Sequence, residues 1–408
     1  MHSSSRLRLF PVPPRTTATI GLLLAASILP LTTACDATGT TRAVTVEAPP
    51  PPARTYENAI VISVDGLRSD ALIALPPKDL PNFARLRQGA STLNARTDPD
   101  WTITLPNHTA MITGRFVEGP DGHAWTRNDE ADPGETLATK KKAYVPGIFD
   151  VAHDRGFRTE LYTGKVKFSI YDVTWNAENG APDVTGTDEG RDKLDAFVFE
   201  LDTKTMVDAL LASMASETKQ RRLLFVHFAV TDLTAHANGW DVTPGSRYMK
   251  AVQLVDAQLG RILDAIEGSP TWKGRTAIVL TADHGGGAPF KSHDQKHMWV
   301  DYVIPFVVWT GGGEPCDLYA RNLATRRDPG LWQVTREGQV RHADAHDDTA
   351  HGDVLHAPTP RLDSVLPPIR NGDAGNLALQ LLGLPPVPGS TIGARDDLDV
   401  GGDDARPR

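Results

Sequence analysis

Ala59-Ile60-Val61-Ile62-Ser63-Val64-Asp65-Gly66 is an almost continuous apolar run that stops in Asp-Gly. A run of this kind, without polar alternation, fits a strand buried on both faces, as in parallel sheets covered by helices. In open sheets of that type ligands gather at the carboxyl ends of the strands, so Asp65 stands where chemistry collects. From this strand alone a turn aspartate explains it equally well. Two more runs end the same way. Arg222 to Val230 leads into Thr231-Asp232-Leu233-Thr234-Ala235-His236, and Thr276 to Ala282 leads into Asp283-His284-Gly285-Gly286-Gly287. Gly156 to Gly164 reads as a further strand, left through Lys165-Val166-Lys167, and residues 302–309 as another. Helical stretches are expected over 80–89, 204–216, 245–267 and 373–382. The fold class that follows is α/β: a mostly parallel central sheet with helices on both faces and the site at the strands' carboxyl ends.

The second informative stretch is Trp101-Thr102-Ile103-Thr104-Leu105-Pro106-Asn107-His108, continuing to Thr113-Gly114. Proline is suited to the first helical position, which places Thr104 at or just before the cap. Its hydroxyl would then lie among unpaired N–H groups and the positive end of the helix dipole, a corner suited to an alkoxide or a phosphate oxygen. Taken alone, the stretch is explained as well by a threonine that only caps its helix.

Asp232 and His236 are four apart, on one helical face, and can serve one cation together. Lys165 and Lys167 at a strand exit could meet an anionic substrate group; solvated surface charges are the plainer reading of the spacing. Three strand-end aspartates, Asp65, Asp232 and Asp283, with histidines beside two of them, form a set that two divalent ions require. Mixed nitrogen and oxygen ligands favour zinc, with manganese also compatible. Such a pair of ions can clamp both ends of a phosphoryl displacement and raise the nucleophilicity of a threonine hydroxyl.

With these residues assembled, the chain resembles the alkaline phosphatase superfamily, specifically its type I phosphodiesterase/nucleotide pyrophosphatase branch. The resemblance runs from Ala59 to Ile392 and rests on the order of Val64-Asp65-Gly66, Thr104 to His108, Thr113-Gly114, Asp232 to His236 and Ala282 to Gly285. It implies one ion held by Asp65, Thr104, Asp283 and His284, and a second held by Asp232, His236 and a later histidine, for which His293 is the choice. His297 and the group His342, His346, His351 and His356 stay open as alternatives. It also implies Thr104 as nucleophile through a phosphothreonine intermediate, and an asparagine that donates to a phosphoryl oxygen, for which Asn128 is the candidate. Lys165 and Lys167 are similar to a Lys-x-Lys pair of phosphonoacetate hydrolases in the same superfamily. The implied activity is that of a phosphodiesterase acting on a nucleotide or small phosphate ester. A phosphomonoesterase or phosphonate hydrolase on the same site is the alternative, and a non-catalytic surface-anchored binding protein of the same fold is a third reading. Threonine at the nucleophile position argues against a sulfatase.

Of the 408 residues, 40% are hydrophobic and 23% charged, enough for a sizeable core, and the net charge of −9 argues against nucleic acid as a partner. Arg6, Arg8 and Arg15 precede an apolar run from Ile20 to Leu31 and small residues before Cys35, the pattern of an export signal. Thr32-Thr33-Ala34-Cys35 resembles a bacterial lipoprotein processing site, although Leu31 lies one position early. The domain expectation is therefore a signal over 1–35, a Pro-rich tether over 36–56, a catalytic domain over 57–393 and a disordered acidic tail over 394–408. Localisation would be the cell envelope through a lipid anchor, the one membrane contact expected, or the exterior as a secreted protein. Cys316 is the only other cysteine, so a lipidated Cys35 leaves no disulfide.

Overall fold

Apolar runs with little alternation form the middle of an eight-stranded sheet in order β4-β3-β5-β1-β6-β7-β2-β8. The computed structural model describes residues 55–182, 190–216, 220–295, 298–312, 314–329 and 366–401, and the backbone alone of 332–334 and 340–342. The strands are β1 (Asn58–Val64), β2 (Ala90–Arg96), β3 (Arg158–Thr163), β4 (Ala196–Phe199), β5 (Arg222–Phe228), β6 (Thr276–Thr281), β7 (Val303–Trp309) and β8 (Cys316–Asp317). β1 lies parallel to both β5 and β6, and β3 parallel to both β5 and β4. β7 pairs antiparallel with β6 and β2, so it alone runs against the rest. β1, β5, β6 and β7 are buried along their whole length, which is why their sequences show no polar alternation.

Helices cover both faces. On one, Asp373–Leu381 packs over β6 and β1 and touches the helices Thr104–Thr113 and Ile148–His153. On the other, the long amphipathic helix Arg247–Gly268 packs against Pro81–Leu86, Thr203–Met214 and Val230–Asn238. Ser246 starts that long helix by accepting the Met249 N–H on its side chain. No helix among the described residues is long and apolar enough to cross a membrane.

Because β3, β5, β1 and β6 are parallel, their last residues share one edge. The register aligns Thr163, His227, Ser63 and Thr281 across the four strands as a polar row beneath that edge. Asp65, Asp232, Asp283 and Lys165 follow directly after it.

Two expectations change. The helix after Ile103 begins at Thr104, with Ile103 as its cap and no side-chain cap bond, so Thr104 is not the capping residue and Pro106 is not the first helical one. Proline is tolerated there because first-turn N–H groups have no intrahelical partner in any case. The C-terminal stretch is ordered further than its Gly/Asp composition suggests: Leu398 is buried, and Asp397 and Asp399 pair with Arg326 and Arg321. The expected signal and nearly all of the tether fall outside the described residues.

Candidate active site

Thr104 opens its helix fully buried, with its hydroxyl 3.5 Å from His284 Nε2. Two asparagines fix the helix. Asn107 donates to the carbonyls of Trp101 (2.6 Å) and Ile103 (3.1 Å), and its Oδ1 accepts from the Asp98 N–H (3.0 Å) and from Asn371 Nδ2 (2.9 Å). Asn371 also donates to the Asp283 carbonyl at 3.1 Å, which ties the helix start to the end of β6. His108 joins Thr104 O to Ser63 Oγ, 2.8 Å on each side.

Asp65, Asp232 and Asp283 are all buried, and each keeps one carboxylate oxygen without a hydrogen-bond partner: Oδ1 of Asp65, Oδ1 of Asp232 and Oδ2 of Asp283. Their other oxygens are engaged. Asp283 Oδ1 accepts the N–H groups of Gly66 (3.0 Å) and His284 (2.9 Å). Asp65 Oδ2 accepts from His227 Nε2 at 2.8 Å, and His227 Nδ1 in turn meets Thr163 Oγ1 at 2.8 Å. Lys165 Nζ sits 2.7 Å from Asp65 Oδ2 and 2.6 Å from Asp232 Oδ2.

The three free oxygens face three imidazoles. His284 Nε2 is 3.2 Å from Asp283 Oδ2 and 3.6 Å from Asp65 Oδ1; His236 Nε2 is 3.3 Å and His293 Nε2 4.0 Å from Asp232 Oδ1. Each ring has its Nδ1 on a backbone carbonyl: Gly285 O for His284 (2.8 Å), Lys291 O for His236 (3.0 Å) and Thr102 O for His293. A carbonyl only accepts, so Nδ1 carries the proton and a neutral ring points its Nε2 lone pair at a carboxylate oxygen. Two lone pairs facing each other in a buried site repel unless a cation or a proton lies between them. Burial pushes His284 down to about 3 and lowers His293, which keeps both rings neutral at ordinary pH. His236 moves the other way, raised by its contact with Asp232. Burial works against charge on Asp65, yet Lys165 and His227 hold it well below the usual carboxylate range, while burial beside Asp65 raises Asp283.

This donor set fits divalent ions. Ligand atoms of Asp65, Asp283 and His284, and those of Asp232, His284 and His293, lie within 4.8 Å of one another in each group. His236 reaches the second group through Asp232. Carboxylate and imidazole donors with Nδ1–H tied back to carbonyls are the arrangement expected around zinc or a similar ion.

The residues matched by a family description now bear on the site. Residues 59–305, more than half the chain and all seven of these ligand candidates, match "Type I phosphodiesterase / nucleotide pyrophosphatase". The chain belongs to that family. Among curated proteins it is 24% identical, over 334 residues, to the GPI ethanolamine phosphate transferase 1 of Neurospora crassa, covering 77% of this chain and 31% of that protein. It is 29% identical over 112 residues to a 2,3-bisphosphoglycerate-independent phosphoglycerate mutase of Gloeobacter violaceus, covering 27% of this chain and 18% of the mutase. The chain thus spans less than a third of the length of these relatives. Murine ectonucleotide pyrophosphatase/phosphodiesterase 5 superposes with a TM-score of 0.37 at 21% identity, over 56% of this chain and 57% of that one.

Asn128, the family-inspired choice for a phosphoryl-oxygen donor, lies beside the helix start. Its Oδ1 accepts the Leu105 N–H at 3.0 Å and Lys167 Nζ at 2.9 Å, and these two bonds leave its amide NH2 unused. The structure divides the two lysines. Lys165 is clamped between carboxylates, whereas Lys167 holds Asn128 and is lowered to about 8, first by burial and then by Lys165. His297 lies outside the described residues, as do His346, His351 and His356; of His342 only the backbone is described.

Several supporting residues went unread in the sequence. His227 and Ser63 each interrupt an apolar strand, and that interruption was the available signal. Trp240 and Tyr248 both donate to the Gly66 carbonyl at 2.9 Å, fixing the turn after Asp65. Trp240 also meets the ring of His236 edge-on at 5.0 Å. Asp301 accepts the N–H groups of Ala288 and Gln295 and so shapes the loop that carries His293.

Proposed function

We propose that the chain is a phosphoester hydrolase of the two-metal type with Thr104 as nucleophile. The carrying observation is the set of three buried aspartate oxygens, each facing an imidazole Nε2, gathered beside a buried threonine hydroxyl. Asp65, Asp283, His284 and Thr104 would hold one ion and Asp232, His236 and His293 the other. Two divalent ions bound there withdraw charge from the phosphoryl oxygens and favour ionised nucleophile and leaving groups.

The chain's own residues supply the rest. The Asn107–Asn371 strut and His108 keep the helix start fixed against β6, so the Thr104 hydroxyl is presented without conformational search. Thr104 Oγ forms a bond to phosphorus as the ester P–O bond breaks; the hydroxyl proton is lost and the departing alcohol takes up a proton from water. Asn128, locked by Leu105 N–H and Lys167, directs its amide NH2 to a phosphoryl oxygen, and Lys167 adds positive charge. Water then attacks the phosphothreonine and the P–Oγ bond breaks, restoring the hydroxyl. Substrates of this reading are small phosphate diesters or nucleotides. The half-buried Lys167 beside Asn128 supports a second reading, a phosphomonoester or phosphonate with one more negative charge to neutralise. Export to the cell envelope, from the N-terminal signal, completes the proposal.

The test is turnover of bis(p-nitrophenyl) phosphate against p-nitrophenyl phosphate by wild type and Thr104→Ala, with bound metal measured on both. The expected result is at least ~10³-fold loss in the variant with metal content close to wild type. Substantial retained turnover would remove Thr104 from the nucleophile role. Wild-type protein without metal and without turnover of either ester would favour a binding protein of the same fold.

A further inference from the structure

Lys165 is the residue of the centre whose position the phosphoryl-transfer reading does not explain. It follows Gly164, where a Cβ would come within 2.7 Å of the Ala229 Cβ, so a side chain at 164 would force apart the exits of β3 and β5. That close approach brings the Lys165 ammonium between Asp65 and Asp232, largely buried and within 2.7 Å of both. Asp65 belongs to one ligand group and Asp232 to the other. On each, the ammonium takes Oδ2, while the oxygen facing a candidate-ligand histidine, His284 or His236, is Oδ1. Lysine and metal ions therefore have no oxygen to contest. An ammonium paired twice in a buried site is also not placed to leave for a phosphoryl oxygen, because departure would strand two carboxylates.

We propose that Lys165 is a permanent tethered cation of the centre. It bridges the two ligand groups through their outer oxygens, stabilises the metal-free protein, and lowers the affinity of both groups for divalent ions. The inference rests on the metal-centre reading above and replaces a substrate-binding role for Lys165. In the metal-free protein, Asp65 and Asp232 share this lysine, so Lys165→Met leaves buried negative charge uncompensated. In the loaded protein, the same change removes a positive charge that repels the incoming ions.

The experiment compares chelator-stripped wild type, Lys165→Met and Lys167→Met by thermal melting, then titrates each with Zn2+ against a competing chromogenic chelator. Stripped Lys165→Met should melt roughly 5 °C or more below wild type, and should bind Zn2+ about tenfold more tightly with a larger melting shift on loading. Lys167→Met, which loses its bonds to Asn128 but breaks no ion pair with Asp65 or Asp232, should match wild type in Zn2+ binding and lose less in melting temperature than Lys165→Met. Should Lys165→Met fail to fold, the double variant Lys165→Met/Asp232→Asn, stripped of metal, should fold and melt closer to wild type, because one buried charge of each sign is removed. An unchanged melting temperature of stripped Lys165→Met, or Zn2+ binding that is unchanged or weaker, overturns the inference. So does a double variant no more stable than the single. If wild type takes up no Zn2+, the metal-centre reading fails instead, and the melting comparison of the stripped proteins still decides whether Lys165 is the bridge.

Discussion

Asn107→Ala tests whether Thr104, the proposed nucleophile, is held by side-chain struts or by helix packing alone. Asn107 is fully buried and uses its whole amide: two bonds given to carbonyls and two accepted, from the Asp98 N–H and the Asn371 amide. A neutral hydrogen bond contributes a net of about 1 kcal/mol, and a buried partner left without one costs about 1–3 kcal/mol. Truncation strips all four bonds, but the Asn371 amide retains the Asp283 carbonyl, which limits the damage. The expected loss is therefore roughly 3–5 kcal/mol out of a total of about 5–15 for a typical domain. Urea unfolding should show a lower midpoint with an unchanged slope, and kcat should fall because Thr104 is no longer fixed against Asp283 and His284. A companion Asn371→Ala and the double variant close a cycle, with coupling of at least ~0.5 kcal/mol expected from their direct bond. A loss under about 1 kcal/mol, or strict additivity of the two, would show that packing of Leu105, Met111 and Ile112 holds the helix by itself.

Two further outcomes follow from the supporting residues. At Gly286 the backbone has φ near +157° and a Cβ would come within 2.1 Å of the Trp240 ring, so Gly286→Ala should cost about 1–3 kcal/mol and loosen bound metal through His236; wild-type stability and metal retention after dialysis would mean that Trp240 can retreat freely. His123 is buried with Nδ1 accepting the Trp125 N–H and Nε2 donating to the Pro106 carbonyl, and burial lowers it to about 3. Its folded value lies below the unfolded one, so its contribution to stability is complete above about pH 6.5 and is lost as the pH falls toward 3. Urea midpoints taken across that window should drop more steeply for wild type than for His123→Gln, and parallel curves would contradict the assignment.

The fold was legible because the strands that decide it are buried on both faces and stop at Asp-Gly, Asp-His and Gly-Lys, where composition changes abruptly. Helix limits were less legible. Thr104 and Pro106 suggested a cap and a first helical residue, yet the helix starts at Thr104, two residues earlier than a proline-led start would place it. Its Leu105 N–H, without an intrahelical partner, is met from a distance by Asn128, a partner that local spacing cannot reveal. The C-terminal stretch misled for a related reason: Asp397 and Asp399 look like a solvated acidic run until Arg326 and Arg321 are brought opposite them.

What sequence could not supply at the site is the allocation of individual oxygens and ring nitrogens. The motif gives three aspartates and three histidines; it does not say that the carbonyls of Gly285, Lys291 and Thr102 take the Nδ1 protons. Those carbonyls are what turn each Nε2 inward, and any residue type could provide them. The same holds for Lys165, which spacing alone assigns to the surface. Its role follows from Gly164 pressing against Ala229, and that contact depends on β3 and β5 being parallel neighbours. Chemistry-bearing residues are thus readable by type, whereas their protonation and their pairing are set by backbone atoms from separate strands. The tests with most power are therefore the ones that move a support of the candidate ligands, such as Lys165 or the Asn107 strut of the Thr104 helix, and leave the candidate ligands themselves in place.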